Sequence, residues 1–153
     1  MVTIILDDIL PSHKYLIPDK LESINWFDLD QEHTYKKFCS SLLNIAGKYY
    51  NLSTAVGYEL WTHNRNKLAR HQDKDENLMI KTGELSFPLC SLVYYLEVSN
   101  LEGGELILDS GLVIKPRTNR LVIFPPAIFH RVNPYKGKRV SILLNPWNHQ
   151  LCH

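Results

Sequence analysis

Apolar and polar positions along this 153-residue chain follow two different periods. Between Leu29 and Tyr50, the residues Tyr35, Phe38, Leu42, Leu43, Ala46 and Tyr49 recur largely at spacings of three and four. That is the stripe of an amphipathic helix, and it predicts one over roughly 31–50. Asp28 with Gln31 three residues on resembles a capping box at its start, and Asn51 fits a stop after its last turn.

Past this helix the pattern turns to short runs of β-branched and aromatic residues. Strands are predicted at Thr54–Thr62, Cys90–Val98, Glu105–Leu108, Asn119–Phe124, Ile128–Val132 and Arg139–Asn145. Glycine and proline separate them: Gly103-Gly104, Gly111, Pro116, Pro125-Pro126, Pro134 and Gly137. Gly103-Gly104 fits a hairpin connection. A helix followed by six to eight evenly spaced strands is α+β in class and mainly β, a sandwich or a double-sheet jelly roll. The expected organisation is a single domain over 1–153, with helical support at about 1–52 and a β core at about 53–147.

Composition narrows the function classes. Seventeen basic against sixteen acidic residues leave a net charge of +1, which argues against a general polyanion binder. With 44% hydrophobic and 22% charged residues the chain can build a core, which excludes collagen-like and disordered classes. No apolar run is long enough to span a membrane, and Met1–Leu10 is too short and too acidic in its flank for a secretory signal. Cys39, Cys90 and Cys152 are odd in number and lack CxxC spacing, which points to reduced thiols and a cytoplasmic setting.

The chemistry sits in three short patterns. In His71-Gln72-Asp73, positions i and i+2 of an extended chain aim an imidazole and a carboxylate to one side. His130 follows 57 residues after Asp73, next to a Pro-Pro turn. Two histidines and one carboxylate are the facial set that suits non-heme Fe(II) and leaves positions open. Nine residues beyond His130, Arg139 opens the apolar run Val140–Leu144. A guanidinium there is costly unless it meets an anion, and its fork matches a carboxylate. Ser141 shares the face of Arg139 and can donate to the same carboxylate.

This order resembles the Fe(II)/2-oxoglutarate-dependent oxygenases, and within them the compact prolyl-hydroxylase branch. The likeness runs from about Gly57 to Trp147 and includes Val93-Tyr94-Tyr95-Leu96, Gly103-Gly104-Glu105-Leu106 and Asn119–Pro125. It implies a double-stranded β-helix of eight strands, with the N-terminal helix packed on its outer face. It implies His71, Asp73 and His130 as iron ligands and Arg139 as the residue holding the distal carboxylate of 2-oxoglutarate, with Ser141 and Tyr95 both candidates for a second contact. The implied activity is a dioxygenase that uses Fe(II), 2-oxoglutarate and O2 to hydroxylate a C–H bond of a peptide or protein side chain.

Three alternatives stand beside it. His71–Glu76 also resembles nucleic-acid demethylases of the AlkB type, but Asn145 stands where that group has a second arginine. A base oxygenase or a small-molecule hydroxylase would share the same iron site. A non-catalytic binding module that kept the fold would need no complete triad and arginine. Among the remaining residues, Tyr58, Trp61 and Trp147 read as core rather than pocket wall, and the resemblance implies a place for Trp61 near the mouth. His63, His149 and His153 read as surface, and Asp75 and Glu76 as solvated or loop-ordering. Lys115–Arg139 carries seven basic residues and no acidic one around the distal histidine. That run could draw in an anion, or be a solvated face offset by the acidic N-terminal third.

Overall fold

In the computed structural model all residues are described except 1, 12–14, 19, 22, 66, 152 and 153, so His13, Cys152 and His153 lie outside the described residues. The elements run β1 (Ile4–Leu6), β2 (Asn25–Asp28), α1 (Lys36–Ala46), β3 (Gly57–His63), β4 (Leu68–His71) and α2 (Glu76–Thr82). They continue with β5 (Ser91–Gly103), β6 (Leu106–Leu108), β7 (Val113–Ile114), β8 (Arg120–Phe124), β9 (His130–Val132) and β10 (Tyr135–Trp147). One sheet has the order β1-β8-β5-β10-β3-β2 and the other β4-β9-β6-β7. Strands β3 to β10 supply the eight strands of the jelly roll, and β1 and β2 extend the larger sheet at its two edges.

Period-two alternation in β10 explains the layering. Ile142 and Leu144 join α1 residues Phe38, Cys39, Leu42 and Ala46 in a core on the outer face of the larger sheet. Arg139, Ser141, Leu143 and Asn145 face the other way and line a cavity between the sheets. A second core of Val93, Tyr95, Leu106, Leu108, Ile114, Val122, Phe124 and Val132 fills the space around that cavity. The register of β10 on β5 shifts between Val140 and Ser141, so Leu96 of β5 has no opposite residue.

Three local expectations are corrected. Helix α1 covers Lys36–Ala46, not 31–50, because Asp28 ends β2 and its N–H donates to Gln31 Oε1 at 3.1 Å. The pair closes the turn that leaves the strand, and Tyr35 is the helix N-cap. Gly103 and Gly104 do not join a hairpin: β5 pairs with β10 and β8, whereas β6 pairs with β7 and β9 in the other sheet. Both glycines take left-handed backbone angles, φ +80° and +79°, to carry the chain across. The short helix α2 also has no counterpart in the sequence reading; Asp75, at its N-cap, accepts from Leu78 N–H at 3.1 Å.

Three of the seven basic residues in the run 115–139 are paired with carboxylates: Arg120 meets Asp7 at 2.7 Å, Arg117 reaches Asp7 at 3.4 Å, and Lys138 meets Glu97 at 3.2 Å. Asp7, just after β1, thus holds two of them. No helix among the described residues is long and apolar enough to cross a membrane.

Candidate metal centre

His71 ends β4, Asp73 follows it, and His130 opens β9, directly opposite His71 in the antiparallel ladder. That register, more than the His-x-Asp spacing, brings the three together. Asp73 Oδ1 lies 3.3 Å from His71 Nε2 and 3.5 Å from His130 Nε2, and all three ligand atoms fall within 4.8 Å of one another. The rings of His71 and His130 are 4.3 Å apart, and Phe124 packs edge-on against His130 at 4.9 Å.

The outer contacts fix which atoms face inward. His71 Nδ1 bonds to the Ala69 carbonyl at 2.9 Å and His130 Nδ1 to the Ile128 carbonyl at 3.0 Å. A carbonyl can only accept, so each Nδ1 carries the proton and a neutral ring presents its Nε2 lone pair to the cluster. Ser91 Oγ donates to Asp73 Oδ2 at 2.7 Å, which leaves Oδ1 turned to the histidines. Two nitrogen lone pairs and a carboxylate oxygen aimed at one point repel each other unless a proton or a cation lies between them. The nitrogen and oxygen donor set suits a divalent transition metal such as Fe(II). Burial penalises the Asp73 charge, but His130 and His71, when protonated at Nε2, and the Ser91 hydroxyl outweigh it and hold the carboxyl well below its ordinary range. Burial disfavours a charged His71 as well, yet the bonds to Asp73 and the Ala69 carbonyl raise its pKa above the ordinary value.

At the other side of the same cavity stands Arg139, 3% exposed. Its Nε donates to the Gly104 carbonyl at 3.0 Å and its Nη1 to Ser141 Oγ at 3.2 Å. The guanidinium lies 5.2 Å from the Tyr95 ring centroid and 5.7 Å from that of Tyr135. Gly104 makes room for it, since a Cβ there would stand 3.0 Å from Arg139 Cδ. Among the described residues no carboxylate forms an ion pair with Arg139, which is unusual for a buried charge. Tyr95, fully buried, has a hydroxyl without a hydrogen-bond partner. Ser141 donates onward to the His63 carbonyl at 3.2 Å.

Of the sequence-predicted residues, Asp73, His130, Arg139 and Ser141 line one cavity, walled by Leu92, Val93, Phe124, Val132 and Leu143, and His71 lines the pocket next to it. Tyr95 packs in the adjoining core, close to Arg139. Trp61, with Arg65, Leu68 and His71, lines a more open pocket beside the cluster. Tyr58 and Trp147 are core, and Asp75 is buried while Glu76 is exposed. His149 is partly exposed, near Ser86 and Asp75. His63 is the clear correction: it is 8% exposed, because it shares a face with Trp61 and pairs with Ser141 across the β3–β10 ladder. Ser91 was missed as well, and its hold on Asp73 spans 18 residues with no local signal.

Residues 57–147 match the family model described as the 2OG-Fe(II) oxygenase superfamily. No curated protein matches the chain at a significant level. Among solved structures, a Pseudomonas putida prolyl-4-hydroxylase is similar at TM-score 0.57 and 19% identity, covering 80% of this chain and 70% of that one. A Burkholderia pseudomallei oxidoreductase of the 2OG-Fe(II) oxygenase family is similar at TM-score 0.60 and 13% identity, covering 98% and 87%. A Trichoplax adhaerens prolyl hydroxylase, solved with a hypoxia inducible factor oxygen degradation domain peptide fragment, is similar at TM-score 0.60 and 15% identity, covering 95% and 83%.

Proposed function

The chain belongs to the 2OG-Fe(II) oxygenase superfamily, an oxidoreductase family that uses Fe(II), 2-oxoglutarate and O2, and on that premise we propose that it hydroxylates a side chain of a peptide or protein. In this reading His71, Asp73 and His130 hold the iron and Arg139 takes the distal carboxylate of 2-oxoglutarate. The observation that carries it is one cavity with two ends. Three acceptor atoms meet at the first, and a buried guanidinium with no carboxylate pair among the described residues stands at the second. A dicarboxylate reaching toward Arg139 from the metal end satisfies both.

When bound, Fe(II) with 2-oxoglutarate and O2 supplies oxidative decarboxylation to succinate and CO2, coupled to hydroxylation of a substrate C–H bond. The chain's own residues position and shield. The Ala69 and Ile128 carbonyls hold both imidazoles in the tautomer that can ligate, and Ser91 orients the carboxylate. Ser141 and Gly104 fix the guanidinium, with the Tyr95 hydroxyl as the second contact to the same carboxylate; Ser141 becomes one only by giving up its bond to the His63 carbonyl. Leu92, Val93, Phe124 and Val132 keep water from the cavity, and the pocket of Trp61, Arg65 and Leu68 gives the substrate a way to His71.

A peptide substrate is supported by the likeness to prolyl hydroxylases, one of them solved with a peptide fragment. A nucleic-acid substrate is less well supported, because the net charge is only +1 and Arg117, Arg120 and Lys138 of the basic run are paired with carboxylates. The test is conversion of 2-oxoglutarate to succinate with Fe(II), screened against peptide, amino-acid and oligonucleotide pools. Stimulation by peptides is expected. Stimulation by oligonucleotides alone, with binding that falls steeply with salt, would replace the substrate assignment. No succinate under any condition would remove the oxygenase reading.

A further inference from the structure

His63 was expected at the surface and is more than nine-tenths buried, with its Nε2 lacking any hydrogen-bond partner. It lines the inner cavity together with Arg139, Ser141, Asp73 and His130, and also the open pocket with Trp61, Arg65 and His71. The ring therefore stands in the wall between the anion end of the cavity and the pocket mouth. Its backbone is tied to the same place: Arg139 Nη1 donates to Ser141 Oγ, which donates to the His63 carbonyl. A buried polar atom without a partner is costly, so an imidazole held this way needs a group that arrives with a ligand.

We infer that His63 is a specificity-determining residue for the cosubstrate, its Nε2–H donating to the carboxylate that Arg139 holds. The inference rests on the 2-oxoglutarate reading above. It adds a third kind of donor to a guanidinium and to the hydroxyl of Tyr95. Of the other buried polar atoms without a partner, Tyr95 OH lies on the strand beside Arg139. Thr62 Oγ1 belongs to the neighbouring position of β3, which alternation turns to the opposite face of the sheet. His63 and Tyr95 thus both stand opposite Ser141, on the two strands that flank β10. Burial, with Arg139, Arg65 and His71 nearby, pushes the His63 pKa down to about 4, so the ring is neutral and can donate from only one nitrogen.

The test needs no turnover. Binding of 2-oxoglutarate is measured by calorimetry on the protein loaded with Zn(II), for the parent, His63→Phe and His63→Gln. His63→Phe keeps a ring and loses the donor, so a roughly tenfold weaker 2-oxoglutarate affinity with unchanged Zn(II) binding is expected. His63→Gln keeps an N–H donor and should recover most of the loss. In the parent, the His63 ring signals in 1H–15N NMR should move on adding 2-oxoglutarate and stay put on adding chloride. Parent-like 2-oxoglutarate affinity in His63→Phe would overturn the inference, as would unmoved ring signals, which need no variant to fold. If the Zn(II)-loaded parent itself binds no 2-oxoglutarate, the cosubstrate assignment fails first, and that outcome is distinct from failure at His63 alone.

Discussion

The two faces of the larger sheet are built from the same strands and do different work. Strand β10 sends Ile142 and Leu144 outward, where α1 covers them, and sends Arg139, Ser141, Leu143 and Asn145 inward. The outer face is sealed by apolar packing, the buried residues of that core being at most 7% exposed. The inner face keeps a guanidinium, an imidazole and a phenol hydroxyl out of water, two of them without full partners. Burial on the outer face stabilises the fold through apolar area removed from water. Burial on the inner face costs stability and leaves groups poised for a ligand. The strand order lets the first face support the second.

That contrast can be broken by substitution. The largest effect is expected from Asp73→Ala, which removes the only carboxylate of the triad. Succinate formation should be abolished while circular dichroism and the melting curve stay near the parent's; retained turnover would contradict the assigned ligand set. On the outer face, Leu144→Ala opens a cavity against α1 and should lower stability by about 2–5 kcal/mol in urea unfolding. Its 2-oxoglutarate affinity should be unchanged below the new transition, and a selective loss of affinity would show the faces to be coupled.

Next comes Arg139→Leu, which takes away the inner charge. Affinity for 2-oxoglutarate should fall by at least about 2 kcal/mol, on the order of thirtyfold, with metal binding kept. Its stability loss should be smaller than that of Leu144→Ala, because a buried charge with no carboxylate pair goes with it. Arg139→Lys keeps the charge and loses the fork, so a raised Michaelis constant for 2-oxoglutarate is expected rather than inactivity.

The smallest effect concerns Glu59, which faces inward across from Asn145 and accepts from Trp147 Nε1 at 2.8 Å. Burial, with Asp73 and Asp75 adding to it, pushes its carboxyl up to about 7 against the bond from Trp147. In the unfolded chain it ionises at the ordinary 4.5, so the folded state binds the extra proton between those values. Stability from this group is therefore present in mild acid and is lost as pH rises through about 7. Glu59→Gln, measured in metal-free protein, should flatten this part of the pH–stability curve; an unchanged slope would show that Glu59 titrates normally.

Much of the candidate site was legible because it depends on short-range geometry. Alternation alone put Arg139 and Ser141 on one face, opposed to Ile142 and Leu144, and the structure has them so. It failed in β5, where the bulge at Leu96 returns Val98 to the face of Tyr95. The elements that escaped are short: β1 has three residues and β2 has four, and each is a strand only because β8 and β3 offer their free edges. Helix α2 buries none of its residues and so carries no stripe.

The amino-acid sequence by itself determined which residues could bear the chemistry and which way each points along its own strand, since side-chain direction in a strand is set by the next residue or two. Only the tertiary structure decided what each one meets. Placing His71 opposite His130 required the β4–β9 ladder, and leading the chain over Gly103-Gly104 into the second sheet required partners for β6 that lie far along the chain. His63 shows the limit most clearly. Nothing near it in sequence distinguishes a surface histidine from a buried one, and its burial comes from Ser141, 78 residues away, through pairing that exists only once both strands share a sheet.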